Sequence, residues 1–342
     1  MTSAGSLVGQ CVLESLRNRR ANLFIVGTNT YLDHDNLREC DLAIPSPRTD
    51  EATFLPLIEQ ICREHQIDLV IPCRDEDILA LSGKIEGNDS PIRLLSAKFD
   101  LIKSVRDKYD SYLKYGQTGI NFAPTICSDD PEVSAKLPAF IEKWGFPLVS
   151  KPRVGNASIG VRVVTDFDQL RLALTRPGRV LQPFLNLPSP ESLELDTSEG
   201  LPLFWEIPTN NFKAVSFFIS RSGSASKFQC TSSILRLGRL EQMREDHDPT
   251  FQDYARRALE TLHSIGWQGP VMIQAGIDKY GDWHAFELNP RFSGGTSARQ
   301  ILGFDEVKMT LDDWLGEDTV EPSHSPILKV VHRSLREWPN LR

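Results

Sequence analysis

The chain has 342 residues, 40% of them hydrophobic and 25% charged, and carries a net charge of −8. That length predicts two or three domains, each long enough to bury a core of its own. The acidic balance speaks against a general nucleic-acid or anionic-membrane binder, which needs clustered Lys and Arg, and no apolar run approaches the ~18 residues that span a bilayer.

The six cysteines, Cys11, Cys40, Cys62, Cys73, Cys127 and Cys230, are scattered and form no CxxC, which reads as reduced thiols in a cytoplasmic protein. The N-terminus lacks the basic segment and apolar stretch of a signal peptide. Thr2–Gly9 is a small-residue loop entering a helix at about Gln10–Arg19. Leu23–Thr28 and Leu69–Pro72 are short apolar runs bounded by turn residues, as in buried parallel strands, with the helix-periodic Phe54–Gln66 between them and Ile92–Leu95 as a further strand. Strands separated by helices imply βαβ units and a doubly wound parallel sheet. Only Met1–Thr2 precede Ser3-Ala4-Gly5, so the opening strand of that sheet is expected to be missing or to lie upstream.

Residues 98–145 read as mainly helical, with Asp107–Tyr115 and Pro131–Trp144 flanking a short Phe122–Thr125 segment. From Phe146 the period becomes two: strands are predicted at Phe146–Pro152, Ile159–Thr165, Val180–Phe184, Ala214–Arg221, Lys227–Ser233, Val271–Asp278 and Trp283–Asn289. Helices at Asp166–Leu174 and Phe251–Ile265 interrupt them, which suggests an α+β module. Asn186–Asn210, rich in Pro, Ser and acidic residues, reads as a long inserted loop with a lid or partner role.

The segment VMIQAGIDKYGDWHAFELNPR (271–291) carries most of the chemistry. It reads as a hairpin turning at Tyr280–Gly281, with Val271, Ile273, Ala275 and Ile277 on one apolar face and Phe286 and Leu288 completing it. A turn centred between residues 280 and 281 sets Gln274 opposite Glu287, with Asn289 and Arg291 on the same face. Gln274, Glu287 and Asn289 would then offer oxygen donors to a hard cation, and Arg291 a planar fork to a phosphate. A hairpin with a polar solvent face has the same pattern. In FPLVSKPRVGNASIGVRVV (146–164) two strands flank a loop with Gly155, Ser158 and Gly160, and Lys151 ends the first strand. Such a loop suits an anion, although glycine hairpins are also purely structural, and no G-K-[ST] opens a helix here. Ser293-Gly294-Gly295 could hold a carboxylate on backbone N–H groups with Arg299 beside it, unless Arg299 is an exposed helix residue. Arg74 or Asp75, after the Leu69–Pro72 strand, could face a substrate, or Asp75 could cap the following helix.

The ordered set Asp107-Lys108, FPLVSKP, the glycine loop, LQPF at Leu181–Phe184 and GPVMIQAGID…FELNPRFSGG resembles the ATP-grasp superfamily, in its carbamoyl-phosphate-synthase-like branch. The resemblance covers nearly the whole chain. It implies a Rossmann-like domain over residues 1–97, an ATP-grasp module over 98–320 (subdomains 98–180 and 181–320) and a C-terminal extension over 321–342. By the same resemblance, Lys108 and Lys151 contact phosphates, residues 153–160 cover them, and Gln182 and Phe184 lie on the strand that meets the adenine. Gln274, Glu287 and Asn289 hold Mg²⁺, which Mn²⁺ could replace, and Arg291 meets the γ-phosphate. The chain departs from the family where a ribose-binding Glu is usual: Phe212 or Lys213 aligns there, which leaves the ribose contact to Glu194, Glu206 or another residue, unassigned.

The implied activity is a Mg²⁺-dependent ligase that uses ATP to activate a small-molecule carboxylate as an acyl phosphate, which an amine then attacks. Phosphoryl transfer of this kind needs positioned charge more than a general base. No nucleic-acid or membrane partner is expected, and a homodimer is compatible with the reading. The alternative is a catalytically inactive nucleotide-binding regulatory protein of the same fold. A nicotinamide-dependent dehydrogenase is disfavoured because Ser3–Gly9 lacks a full GxGxxG.

Overall fold

The structure, a computed structural model, describes residues 1–85, 93–155, 159–185, 212–223, 225–236, 239–316 and 330–332. Near the N-terminus, β1 (Val26–Asn29) pairs in parallel with β2 (Leu42–Pro45), and β3 (Leu69–Val70) with β4 (Arg93–Leu94). Met1 and Thr2 fill the slot between the two pairs: Thr2 bridges Pro72 in parallel, the Met1 amine donates to Val26 O (2.6 Å), and Thr28 N donates to Met1 O (2.9 Å). The strand expected to be missing is therefore present as a single bridge. The four-residue β2, which ends in Pro45, was not anticipated from the sequence.

Helix α1 (Leu7–Leu16) starts earlier than its apolar period suggested, because Ser6 Oγ accepts from Gly9 N and caps it. Helices α2 (Phe54–Glu64) and α3 (Asp75–Ile85) make the remaining crossovers. After α4 (Phe99–Arg106), Asp107 breaks the helix and caps α5 (Lys108–Tyr115) by accepting from Tyr109 N (2.8 Å).

A second sheet follows: β5 (Ile126–Cys127), β6 (Leu148–Pro152), β7 (Arg162–Val164) and β8 (Arg179–Pro183), in the order β5-β8-β6-β7. Helices α6 (Val133–Trp144) and α7 (Phe167–Leu174) cover one face over Leu148, Val164, Leu170 and Leu181.

The largest sheet holds β9 (Phe212–Ile219), β10 (Lys227–Arg236), β11 (Arg239–Glu245), β12 (Gly269–Ile277), β13 (Trp283–Asn289) and β14 (Val330–His332), in the order β13-β12-β9-β10-β11-β14. Helix α8 (Pro249–Ser264) lies on it. Asp248 caps this helix, and Phe251, Tyr254, Ala255, Ala258 and Leu262, at helical spacing, bury against Val215, Phe217, Val271 and Ile273. Two short helices that the sequence reading missed, α9 (Thr296–Ile301) and α10 (Glu306–Leu315), cover the other face of the sheet. There Val8, Leu13 and Ile25 share one core with Phe218, Phe292, Val307 and Trp314. A continuous core thus crosses the boundary expected at residue 97. Residues 330–332, expected in a C-terminal extension, pair with β11.

No helix among the described residues is long and apolar enough to cross a membrane. The six cysteines are free thiols.

Candidate functional site

The β12–β13 hairpin pairs Gln274 with Glu287 and Met272 with Asn289. Beyond that point the register shifts, so that Ala275 faces Ala285 and Ile277 faces Trp283. The turn is therefore tighter by half a step than expected, with Gly281 at φ 91°, and a bulge at Phe286 restores the Gln274–Glu287 pairing. The bulge also corrects the predicted apolar face. Trp283 and Ala285 join Leu288 in the core, whereas Phe286 turns outward beside Glu287.

Opposite stands β6. Its Leu148 is buried beneath α6 and α7, while Val149 and Lys151, two residues apart, line a cleft of about 220 Å³ between the two sheets. Lys151 Nζ spans that cleft, donating to Phe286 O (3.0 Å) and lying 5.2 Å from the Phe286 ring centroid. Lys108, at the start of α5, enters the same space and donates to Gly155 O (3.2 Å). Phe184, Leu185, Phe212, Ile159 and Val161 supply apolar walls. Burial, and then the neighbouring Lys108 charge, lower the Lys151 pKa to about 7, with Glu287 opposing them. Two lysines in an apolar cleft with few anionic neighbours form a seat for an anionic ligand.

The loop after β6 is anchored at both ends. Arg153 pairs with Asp107 (2.8 Å), and Arg179 Nη2 donates to Gly160 O (2.8 Å). Gly160 has a φ of 74°, which a side chain would strain, whereas at Gly155 a Cβ would meet only Pro152 at 3.7 Å. The backbone thus requires glycine at residue 160. Gln182 lines the cleft, and its Nε2 donates to Thr125 Oγ1 (2.9 Å). Ser158 and the insertion with Glu194 and Glu206 lie outside the described residues. Of the two residues at the ribose position, Phe212 lines the cleft, while Lys213 faces α8 and pairs with Asp246 (2.8 Å).

A divalent cation fits the donors at the far end of this cleft. Among the described residues no three His, Cys, Asp or Glu side chains converge. One carboxylate and two amides instead suit a hard ion that shares its shell with phosphates. Glu287 lines both the main cleft and a small pocket behind it, with Gln274 on the first and Asn289 on the second. Asn289 is 5% exposed. Its Oδ1 accepts from Arg291 Nη2 (3.4 Å) and keeps a second lone pair, while its buried Nδ2 has no partner among the described residues. A phosphate oxygen beside the ion would satisfy that orphaned donor.

The packing gives the other expected site residues partners within the protein. The Arg291 guanidinium meets Asp75, at 2.7 Å from Nε and 3.0 Å from Nη2. Asp75 accordingly faces Arg291 and Arg106 instead of a substrate. The Ser293-Gly294-Gly295 segment offers no open cradle, since Ser293 N donates to Thr296 Oγ1 and Gly295 N to Ser293 Oγ. Arg299, 1% exposed, is closed in by Glu306, Ser293 and Thr296 and ties α9 to α10. Arg106 was missed, although it directly precedes Asp107-Lys108.

No family model matches the chain. It is 27% identical over 158 residues to a formate-dependent phosphoribosylglycinamide formyltransferase of Synechococcus sp. (strain RCC307), a match spanning 46% of this chain and 38% of that relative. Among solved structures it is similar to the N5-carboxyaminoimidazole synthetase of Staphylococcus aureus in complex with ADP, at a TM-score of 0.66 and 13% identity, covering 92% of this chain and 76% of the other. The biotin carboxylase of Campylobacter jejuni also superposes with a TM-score of 0.66, at 14% identity, covering 93% of this chain and 70% of the other. A biotin carboxylase domain from Hydrogenobacter thermophilus, in complex with MgADP and bicarbonate, gives 0.64 at 15% identity, covering 91% and 68%. The shared architecture, an N-terminal parallel-sheet unit followed by two sheets facing a cleft, is the ATP-grasp fold.

Proposed function

We propose that the protein is an ATP-dependent ligase that activates a small carboxylate as an acyl phosphate for attack by an amine, with Mg²⁺ or Mn²⁺ required. The observation that carries this reading is the cleft of about 220 Å³ in which Lys108, Lys151 and Glu287 meet between two sheets beside apolar walls. Lys151 and Lys108 bind and orient the phosphate chain, and Phe184, Phe212, Val149 and Phe286 exclude water from it. Glu287, Gln274 and Asn289 hold the cation, which when bound neutralises phosphate charge. Solved enzymes of this fold in complex with ADP or MgADP support the reading. Residues 1–97 and 98–320 act as units joined by a common core.

The test is ADP formation from ATP across a panel of small carboxylates and amines, with and without Mg²⁺. Mg²⁺-dependent ADP formation that needs both an acid and an amine supports the proposal. MgADP binding without turnover on any pair would favour the inactive regulatory reading, and absence of MgADP binding would overturn both.

A further inference from the structure

The Arg291 guanidinium carries five N–H groups in a fixed fork. Nε lies 2.7 Å from Asp75 Oδ1. Nη2 donates to Asp75 Oδ2 (3.0 Å) and to Asn289 Oδ1 (3.4 Å), and Nη1 donates to Phe292 O (3.0 Å). The Nε–Nη2 edge of the fork faces the Asp75 carboxylate, although Nε and Asp75 Oδ1 make no well-angled hydrogen bond, so that edge is not open for the two-pronged grip that arginine gives a phosphate.

Asp75 is held just as firmly. It sits in the first turn of α3, where the helix dipole favours a carboxylate, and its side chain is 8% exposed. Arg106, at the end of α4, lies 3.4 Å from Asp75 Oδ2 and 2.5 Å from Glu76. A carboxylate between two guanidiniums in a buried interface is part of the frame, not a group awaiting displacement. The Asn289 side chain makes its one hydrogen bond among the described residues to Arg291.

We propose that Asp75 is a positioning residue for the cation end of the cleft: supplied by the N-terminal unit, it fixes Arg291, and Arg291 fixes the Asn289 amide. This rests on the reading above, in which Glu287 and Asn289 meet a divalent cation. Arg291 then acts through Asn289, as outer partners of metal ligands do, and the N-terminal unit becomes part of the site that its neighbour houses.

The experiment titrates Mn²⁺ into the ADP-saturated full chain and follows free Mn²⁺ by electron paramagnetic resonance. It compares wild type with Asp75→Asn, Asp75→Glu, Arg291→Lys and the Asp75→Asn/Arg291→Lys double variant. Asp75→Asn is expected to weaken Mn²⁺ binding roughly ten-fold, the usual loss for an outer partner of a ligand. ADP affinity measured without metal stays unchanged in that variant, and Asp75→Glu recovers part of the Mn²⁺ loss. The double variant binds Mn²⁺ no more weakly than its weaker parent, because both changes break one chain of contacts. Unchanged Mn²⁺ affinity in Asp75→Asn, or additive losses in the double variant, would overturn the inference. So would a parallel loss of metal-free ADP affinity, which marks a purely structural role. Should Asp75→Asn fail to fold, Arg291→Lys, which keeps the charge but not the fork, carries the same expectation. Wild-type protein that binds no Mn²⁺ with ADP would instead defeat the functional proposal itself.

Discussion

Two polar clusters flank the end of β13, and they differ in how their charges are satisfied. Behind Ser293, Arg299 Nη2, the Glu306 carboxylate and the Ser293 and Thr296 hydroxyls bond one another, with Arg299 and Glu306 at 1% and 2% exposure and opposite charges paired, although the buried Arg299 Nε has no partner among the described residues. In the cleft, the hydrogen bonds of Lys151 and Lys108 among the described residues go to backbone carbonyls. Glu287 accepts no side-chain hydrogen bond from a described residue, and Asn289 Nδ2 is orphaned. Both clusters read as ligand sites in the sequence. A closed polar network is a structural post, whereas one with unspent donors and like charges side by side has a place for a ligand.

The largest effect should come from breaking the closed cluster. Glu306→Ala leaves Arg299 buried and unpaired, which costs about 3–5 kcal/mol, read as a lowered midpoint in chemical denaturation, while MgADP affinity of the folded fraction stays unchanged. A stability loss under 1 kcal/mol would show that this cluster is not the post described.

The open cluster should behave the other way. Glu287→Ala is expected to lower Mg²⁺-dependent ADP formation about 10²–10³-fold, as removal of one charge-stabilising group does. The denaturation midpoint should stay put, because Glu287 is only half-buried. Large destabilisation with turnover intact would reverse the comparison. Lys151→Met removes a charged hydrogen-bond donor to phosphate, worth about 1.5–3 kcal/mol, so MgADP binding should weaken roughly ten- to hundred-fold in calorimetry. Unchanged affinity would remove Lys151 from the nucleotide site.

The finest distinction is in pH. The folded pKa of Lys151, about 7, lies below the usual lysine value of 10.5. Between those values the unfolded chain binds the extra proton, so the stability of the ligand-free protein rises with pH across that window. The cost of burying the charge is present in full below pH 7 and gone above 10.5. Lys151→Met should flatten this part of the pH–stability curve. Nucleotide phosphates restore the charge, so MgADP binding near pH 8 should take up a fraction of a proton, read from binding heats in buffers of different ionisation enthalpy. Heats that do not depend on the buffer would count against a neutral Lys151.

Much of this was legible in the residues. Period-two alternation located β6, β9, β10, β12 and β13, and the spacing of Gln274 and Glu287 about the turn predicted their pairing. The bulge was not legible, because whether Phe286 or Trp283 faces the core depends on which the surrounding layers can bury. β2, α9 and α10 escaped because four to ten residues carry too little periodicity to stand out.

Local pattern therefore determined the order of elements and the chemical types at the cleft, since backbone geometry imposes the periods of two and 3.6 on any buried face. Tertiary packing alone decided which charges stay unspent. Asp75 and Arg291 are 216 positions apart in the chain, and only the docking of α3 against the end of β13 makes one the partner of the other.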